Sequence, residues 1–428
     1  MKTGQISKNI IISIYLYLLA FLIIFSSGAI LDQKYPNVAQ ALLLGLSIPA
    51  ILTVLVYKRY LTYLSLIPIL FIGFNFITVP VGILQYVTFI VKFVVVLLII
   101  KYCMIGEKNL FKIFHNLIVG IAVYTLFTYL FFDILSILPP STEVINDKPY
   151  RVWLGLHFHG QITSWYGVNV FRNNSIFWEP GVWQIYLNYA LIYQLFFSKK
   201  VNKKILTVLL INLITTFSTT GNIICLMILL VAFLKFKPKT QATLFLKYYL
   251  LIPLVAVGFF VAIYLFNQKV SGGGQRSYSL RQDDLLVGWE LFLQKPFTGW
   301  GFLNNEGYQN MVGVPNNSNG FISMLFQQGI AGAIFYLVPL ITLFKKIAST
   351  HRVFTAFIFT IFIVISSASE PIMYTNFISF LFCLGVISII DNEHFIQWFN
   401  RCASKEIIVP PEKRKRILGT TVLKEKTI

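Results

Sequence analysis

The chain has 428 residues, 57% of them hydrophobic and only 12% charged, with a formal net charge of +19. That balance excludes an ordinary soluble domain and reads as a polytopic membrane protein. The basic excess is spread through short breaks between apolar runs rather than gathered into one basic module, so no nucleic-acid partner is expected.

A hydrocarbon core of roughly 30 Å asks for about 20 apolar residues per helix, and by that measure the chain reads as an all-α polytopic membrane protein with about 12 transmembrane helices. In chain order the apolar cores run Ile10 to Ile30, Ala41 to Tyr57, Leu61 to Ile77, Ile83 to Ile100, Ile113 to Leu138 and Val182 to Phe197. The second half continues with Ile205 to Phe217, Ile223 to Phe236, Tyr248 to Phe266, Phe321 to Phe344, Val353 to Ser366 and Phe377 to Ile390. The first run is longer than a typical signal-peptide core and has no convincing small-x-small cleavage site, so it is read as a retained anchor. Lys92 sits within a span, where a charge is costly, and is expected to face the bundle interior.

Every second break is basic: Lys58-Arg59, Lys101 with Lys108 and Lys112, the run Lys199 to Lys204, Lys235 to Lys247, and Lys345-Lys346. The positive-inside rule then places both termini in the cytoplasm. Residues 1–390 form a single membrane domain in this reading. Residues 391–428 form a basic cytoplasmic tail, disordered and attracted to the membrane surface through Lys413-Arg414-Lys415-Arg416. Cys103, Cys225, Cys383 and Cys402 fall in spans or on the cytoplasmic side, which leaves the outer loops without an intrachain disulfide.

Two breaks are much longer than the rest, about 139–180 and 267–319, and both map to the outer face. Long loops in a compact protein are usually functional, and these hold Arg151, Arg172, Glu179, Arg276, Arg281, Asp283, Asp284 and Glu290. Within the second, Leu285, Leu286, Trp289 and Phe292 recur at helical spacing opposite Asp283, Asp284 and Glu290, which predicts an amphipathic surface helix from Arg281 to Gln294. Ser271-Gly272-Gly273-Gly274 before it reads as a hinge or a plain linker. Ile205 to Phe236 is too long for one helix and reads as two short helices meeting at Ser218-Thr219-Thr220-Gly221-Asn222, a turn that either lines a cavity or makes a simple outer hairpin. His157 and His159 share a face if extended, but no further ligand stands at convincing spacing and no Asp-x-Asp occurs on the outer face, so no metal is expected.

Arg172-x-x-Ser175-x-x-x-Glu179-Pro180 resembles the arginine, small residue, then acidic residue plus proline signature of the O-antigen polymerase and ligase superfamily. Ser218-Thr219-Thr220-Gly221 is similar to that family's Ser/Thr-rich turn, although Thr220 stands where an arginine is common. Arg281, Trp289 and then Pro296-Phe297-Thr298-Gly299-Trp300-Gly301 resemble its large outer loop. Ser318-Asn319-Gly320 through Gln328-Gly329-Ile330-Ala331-Gly332 resembles the opening of the next span. Ligases of the superfamily usually carry a histidine where this chain has Ser318, which favours a polymerase.

The resemblance implies a GT-C-like glycosyltransferase architecture in a bacterial inner membrane. It also implies transfer of a glycan from a polyprenyl-diphosphate-linked donor to a hydroxyl of a second carrier-linked glycan on the outer face, with a chain-length regulator as a further candidate partner and no cofactor. The residue types suit that chemistry. Arginines match the charge that gathers on a diphosphate leaving group, and a carboxylate near apolar surface can have a raised pKa suited to a base. Glu179, Arg172 and Arg281 are the catalytic candidates, and Arg276, Arg151, Trp178, Asn319 and Glu370 the substrate-binding ones. A simpler role for Arg172 and Glu179 is to pair and pin a loop. The rival functions are an O-antigen ligase and a flippase or transporter for lipid-linked sugars. A transporter is expected to show repeated halves or midplane ionisable sites; no internal repeat is found and only Lys92 stands firmly mid-span, while the other polar residues collect on the outer face.

Overall fold

The computed structural model describes residues 2–35, 37–56, 83–145, 148–155, 157–165, 168–198, 200–235, 275–351 and 353–403, with isolated positions between 240 and 267. The expected span Leu61 to Ile77, the Ser271 to Gly274 hinge, the chain beyond residue 403 and most of the expected span Tyr248 to Phe266 lie outside the described residues. Helices Val38–Val56, Val87–Ile105, Leu110–Ile134 and Gly320–Ser349 are long and apolar enough to cross a membrane. Ile10–Phe25, Thr219–Lys235, Val353–Ser369 and Asn376–Ile390 are shorter apolar helices. The chain is a multi-pass helical membrane protein.

The first half consists of α1 (Lys2–Phe25), α2 (Ile30–Lys34), α3 (Val38–Val56), α4 (Ile83–Ile105) and α5 (Leu110–Thr128), the last prolonged by π-helical turns over Tyr129–Ile134. At the centre stands α6 (Pro180–Ile192), with every residue buried. A helix that is apolar around its whole circumference belongs inside a bundle, and α6 packs against α5 and against α7 (Lys203–Thr215), α8 (Thr219–Lys235) and α12 (Val353–Ser369). Its polar residues have defined partners: the Asn188 amide donates to Gln184 Oε1 at 2.9 Å and to the Gly221 carbonyl at 3.1 Å. Such bonds contribute on average about 0.6 kcal/mol each in a membrane interior, so they set the rotation of α6 more than its stability. As expected, α7 and α8 are two separate helices, but the turn between them is Thr216-Phe217-Ser218, and Thr219 to Asn222 already belong to α8.

Lys92 on α4 is half-buried and within electrostatic reach of Asp32 on α2. The opposite end of α4 carries a buried ion pair, Lys101 Nζ to Asp391 Oδ2 at 2.5 Å.

The first long loop departs from the all-helical expectation. It folds as a three-stranded antiparallel sheet, β1 (Ser141–Ile145), β2 (Lys148–Trp153) and β3 (His157–His159), followed by a hairpin of β4 (Ile162–Trp165) and β5 (Val168–Phe171). Period-two alternation supplies the reason: Ile145, Tyr150, Val152 and Phe158 point inward and form a small core on Ile30 of α2, while Arg151 faces out.

The second long loop contains α9 (Gln275–Gln294) and α10 (Glu306–Val312), and leads into α11 (Gly320–His351). α11 is broken at Gly329, whose φ of 64° and ψ of −164° are not helical. The freed backbone groups are satisfied by the Pro296 to Gly301 segment. Trp300 and Gly301 donate to the carbonyls of Phe326 and Gln327 at 2.9 and 2.8 Å, and Ile330 donates to the Pro296 carbonyl at 2.7 Å. Irregular backbone at membrane depth survives when protein covers it in this way. A Cβ on Gly329 would lie 2.4 Å from the Phe297 carbonyl oxygen, so close approach and left-handed φ both call for glycine there.

Beyond α13 (Asn376–Ile390), residues assigned to a disordered tail instead form α14 (Asn392–Ala403). Its Phe395, Trp398 and Phe399 are buried, Trp398 Nε1 donates to the Lys108 carbonyl at 3.0 Å, and the Asn109 amide donates to the Cys402 carbonyl at 2.5 Å. Apolar residues at positions 395, 398, 399 and 402 are the i, i+3, i+4, i+7 stripe of an amphipathic helix.

Candidate active site

The segment from Arg172 to Glu179 is woven between two distant parts of the bundle. Ser175 adopts a left-handed conformation (φ 56°), held by its backbone N–H to Asn173 Oδ1 at 3.1 Å and by a 2.6 Å hydroxyl contact with Thr125 on α5. Phe177 bridges to Ala29, and Trp178 N–H donates to the Gly28 carbonyl at 3.2 Å, which ties the segment to the end of α1. Asn173 N–H donates to the Thr215 carbonyl at 2.9 Å and ties it to the turn after α7.

Arg172 uses that same turn. Its Nε donates to the Thr216 carbonyl at 3.1 Å and its Nη1 to Gln161 Oε1 at 2.7 Å. The Gln161 amide nitrogen then donates to Glu179 Oε2 at 3.3 Å, so one glutamine spans the arginine and the carboxylate. Sequence reasoning missed Gln161. Its only signal is position, two residues after β3, and backbone pairing brings it opposite Arg172, whose N–H donates to its carbonyl at 3.1 Å.

Glu179 occupies the N-cap position of α6, with Pro180 in the first turn, where the missing N–H of proline does no harm. A helix N-terminus favours an anion. Glu370 reaches this point from the turn between α12 and α13, with its carboxyl buried. The two carboxyls are hydrogen-bonded to each other, and Arg281 on α9 approaches from the other side, Nη2 to Glu370 Oε1 at 3.4 Å. Gly181 makes the arrangement possible, because a Cβ there would lie 2.0 Å from Glu370 Oε1.

The pair titrates asymmetrically. Burial, then the neighbouring Glu179 charge and the hydrogen bond between them, push Glu370 well above the ordinary carboxyl range against the pull of Arg281 and Arg172. Burial also acts to raise Glu179, but the hydrogen bond with Glu370, the charge of Lys148, the bond to Trp178 and the charge of Arg172 outweigh it and bring it below its usual value. This corrects the sequence expectation. The raised carboxyl is Glu370, and Glu179 is the one held low.

Arg172, Glu179, Arg281 and Glu370 therefore come together, from both long loops and a short turn. Trp178 is adjacent, its carbonyl accepting from the Tyr150 hydroxyl at 3.3 Å. Arg151 lies outward on β2 with its guanidinium 4.7 Å from the Phe171 ring centre. Asn319 caps α11, accepting from Ile322 N–H at 3.1 Å. The backbone of Arg276 is in α9, and its side chain lies outside the described residues. Asp284, expected on the water-facing side of α9, is instead turned into the protein. It accepts from the Tyr308 and Ser318 hydroxyls and, at 3.0 Å, from Ser318 N–H, while Leu285, Leu286 and Trp289 are exposed.

Residues 205–337 match the family model described as O-antigen ligase. The match supports the O-antigen ligase and polymerase superfamily. The matched stretch carries α7, the turn that holds Arg172, Arg281 and the Ser318-Asn319-Gly320 motif. Arg172, Glu179 and Glu370 lie outside it. No curated protein and no solved structure matches the chain.

Proposed function

We propose that this protein is a polysaccharide polymerase of the bacterial inner membrane that joins polyprenyl-diphosphate-linked repeat units on the outer face. The observation that carries the proposal is the convergence of two arginines on a pair of adjacent carboxyls. Arg172 is held rigidly by Thr216 and Gln161 through Nε and Nη1, leaving Nη2 without a partner among the described residues. With Arg281 it supplies forked, charge-assisted donors to a diphosphate.

In the transfer, the acceptor hydroxyl oxygen bonds to the donor sugar C1 as the bond from C1 to the diphosphate oxygen breaks. The diphosphate leaves with the electron pair, stabilised by Arg172 and Arg281. The hydroxyl proton passes to Glu179. A carboxylate of lowered pKa suffices as base because the hydroxyl becomes acidic once its oxygen bonds to C1. Glu370, protonated, orients Glu179 through their shared hydrogen bond. The leaving group needs no acid, and no metal or cofactor enters this route.

The description of the matching family favours a second reading, ligation. Ser318, in place of the usual histidine and engaged with Asp284, favours polymerisation. A deletion strain separates the readings: single repeat units should still reach their final acceptor while the long-chain ladder disappears. Loss of the single capped unit as well would overturn the polymerase reading. Purified protein in lipid should lengthen carrier-linked units and release free polyprenyl diphosphate without nucleotide sugar, which a flippase would not do.

A further inference from the structure

We propose that Asp133, His157 and His159 form a binding site for a divalent cation of the zinc class. The expectation of no metal rested on the lack of a third ligand near the two histidines. The fold supplies one from the end of the π-helical extension of α5, where Asp133 meets β3, and the three donor atoms lie within 4.8 Å of one another.

Three observations point to an ion rather than to a simple hydrogen-bonded cluster. All three side chains are about 1% exposed, with His157 Nε2 and His159 Nε2 each 2.9 Å from the same oxygen, Asp133 Oδ2. Donors around a tetrahedral zinc at 2.0–2.2 Å stand about 3.3 Å apart, and the two histidine–aspartate distances of 2.9 Å are of that order. Despite that short distance His159 Nε2 lacks hydrogen-bond geometry, and the Nδ1 atoms of His157 and His159 and Asp133 Oδ1 are likewise buried without a hydrogen bond. Two imidazoles converging on one carboxylate, with three ring nitrogens and one carboxylate oxygen left without hydrogen bonds, is a donor set lacking its acceptor. Bidentate use of Asp133 would complete four donors. Nitrogen and carboxylate ligands suit zinc among the available divalent ions.

The surroundings indicate a structural site. Phe132, Trp153, Phe171 and Tyr129 pack around the imidazoles. The ion would clamp β3 to α5, and β3 leads through Gly160 to Gln161, which holds Arg172 and Glu179. This inference is independent of the glycan-transfer reading, because its readout is metal content and stability.

The test uses the full-length protein in lipid nanodiscs, stripped with chelator and titrated with Zn²⁺. Wild type should bind about one ion per chain, as a preformed site would, and should unfold at a higher temperature with Zn²⁺ than without. His157→Ala and His159→Ala should lose both effects. Co²⁺ in wild type should give the visible bands of a four-coordinate site, a readout independent of variant folding. Folded wild type that takes up no Zn²⁺, or binding and stabilisation retained in both variants, would overturn the proposal.

Discussion

Glu370 and Glu179 share a hydrogen bond although one ends α12 and the other begins α6, and the contact is possible because Gly181 has no side chain to displace the Glu370 carboxyl. Burial and the neighbouring charge hold Glu370 high while its partner is held low, and the consequences for rate are directly measurable.

The pH profile should have two limbs. Glu179 is brought below its usual value, so activity should fall only as pH drops beneath the ordinary carboxyl range and its carboxylate takes up a proton. Glu370 is raised well above that range, so activity should fall again as pH rises through its raised value and it loses its proton. Glu370→Gln, a permanently neutral donor, should keep substantial activity and lose the upper limb. Glu179→Gln should reduce turnover by about 10²–10⁴, the usual contribution of a general base. Lengthening assays in lipid across pH would expose a wrong assignment if Glu179→Gln kept full rate.

Arg172→Ala should lower the lengthening rate by about 10²–10³ while protein level in the membrane stays normal. Arg172→Lys should rescue little. A lysine cannot reproduce the fork that engages the Thr216 carbonyl and Gln161 together. A variant that fails only because the protein disappears would show that Arg172 merely pins the loop.

Gly181→Ala places a Cβ 2.0 Å from Glu370 Oε1. Overpacking of this kind costs about 1–3 kcal/mol, and separation of the carboxyls should also flatten the upper limb. Thermal unfolding and the pH profile, measured together, distinguish this from a purely global loss of stability.

Trp398→Ala in α14 should destabilise the detergent-solubilised protein by about 3–5 kcal/mol, the range for a buried aromatic. A disordered tail would show no change in unfolding temperature.

Reporter fusions after Lys204 and after Ser271 should report opposite sides of the membrane, with the former cytoplasmic. The same side for both would refute the orientation read from the basic breaks.

The amino-acid sequence by itself determined the membrane class, the start of α6 and the polar turn between α7 and α8. Each rests on local information: the length of an apolar run, the apolar stretch that opens at Val182 just after Pro180, two runs too short to span alone. Amphipathic α14 was equally legible in Phe395, Trp398 and Phe399, and was obscured by the basic residues after it. Alternation in β2 was visible too, but short strands carry weak signals beside long apolar helices. Only the tertiary structure decided that Glu370 holds the proton beside Glu179, that Gln161 bridges Arg172 to Glu179, that Asp133 meets His157 and His159, and that Pro296 to Gly301 fills the break in α11. Those contacts join residues far apart in the chain. Their charge states and partners follow from burial and from which backbone groups each helix leaves open, and neither periodicity nor spacing along one sequence records them.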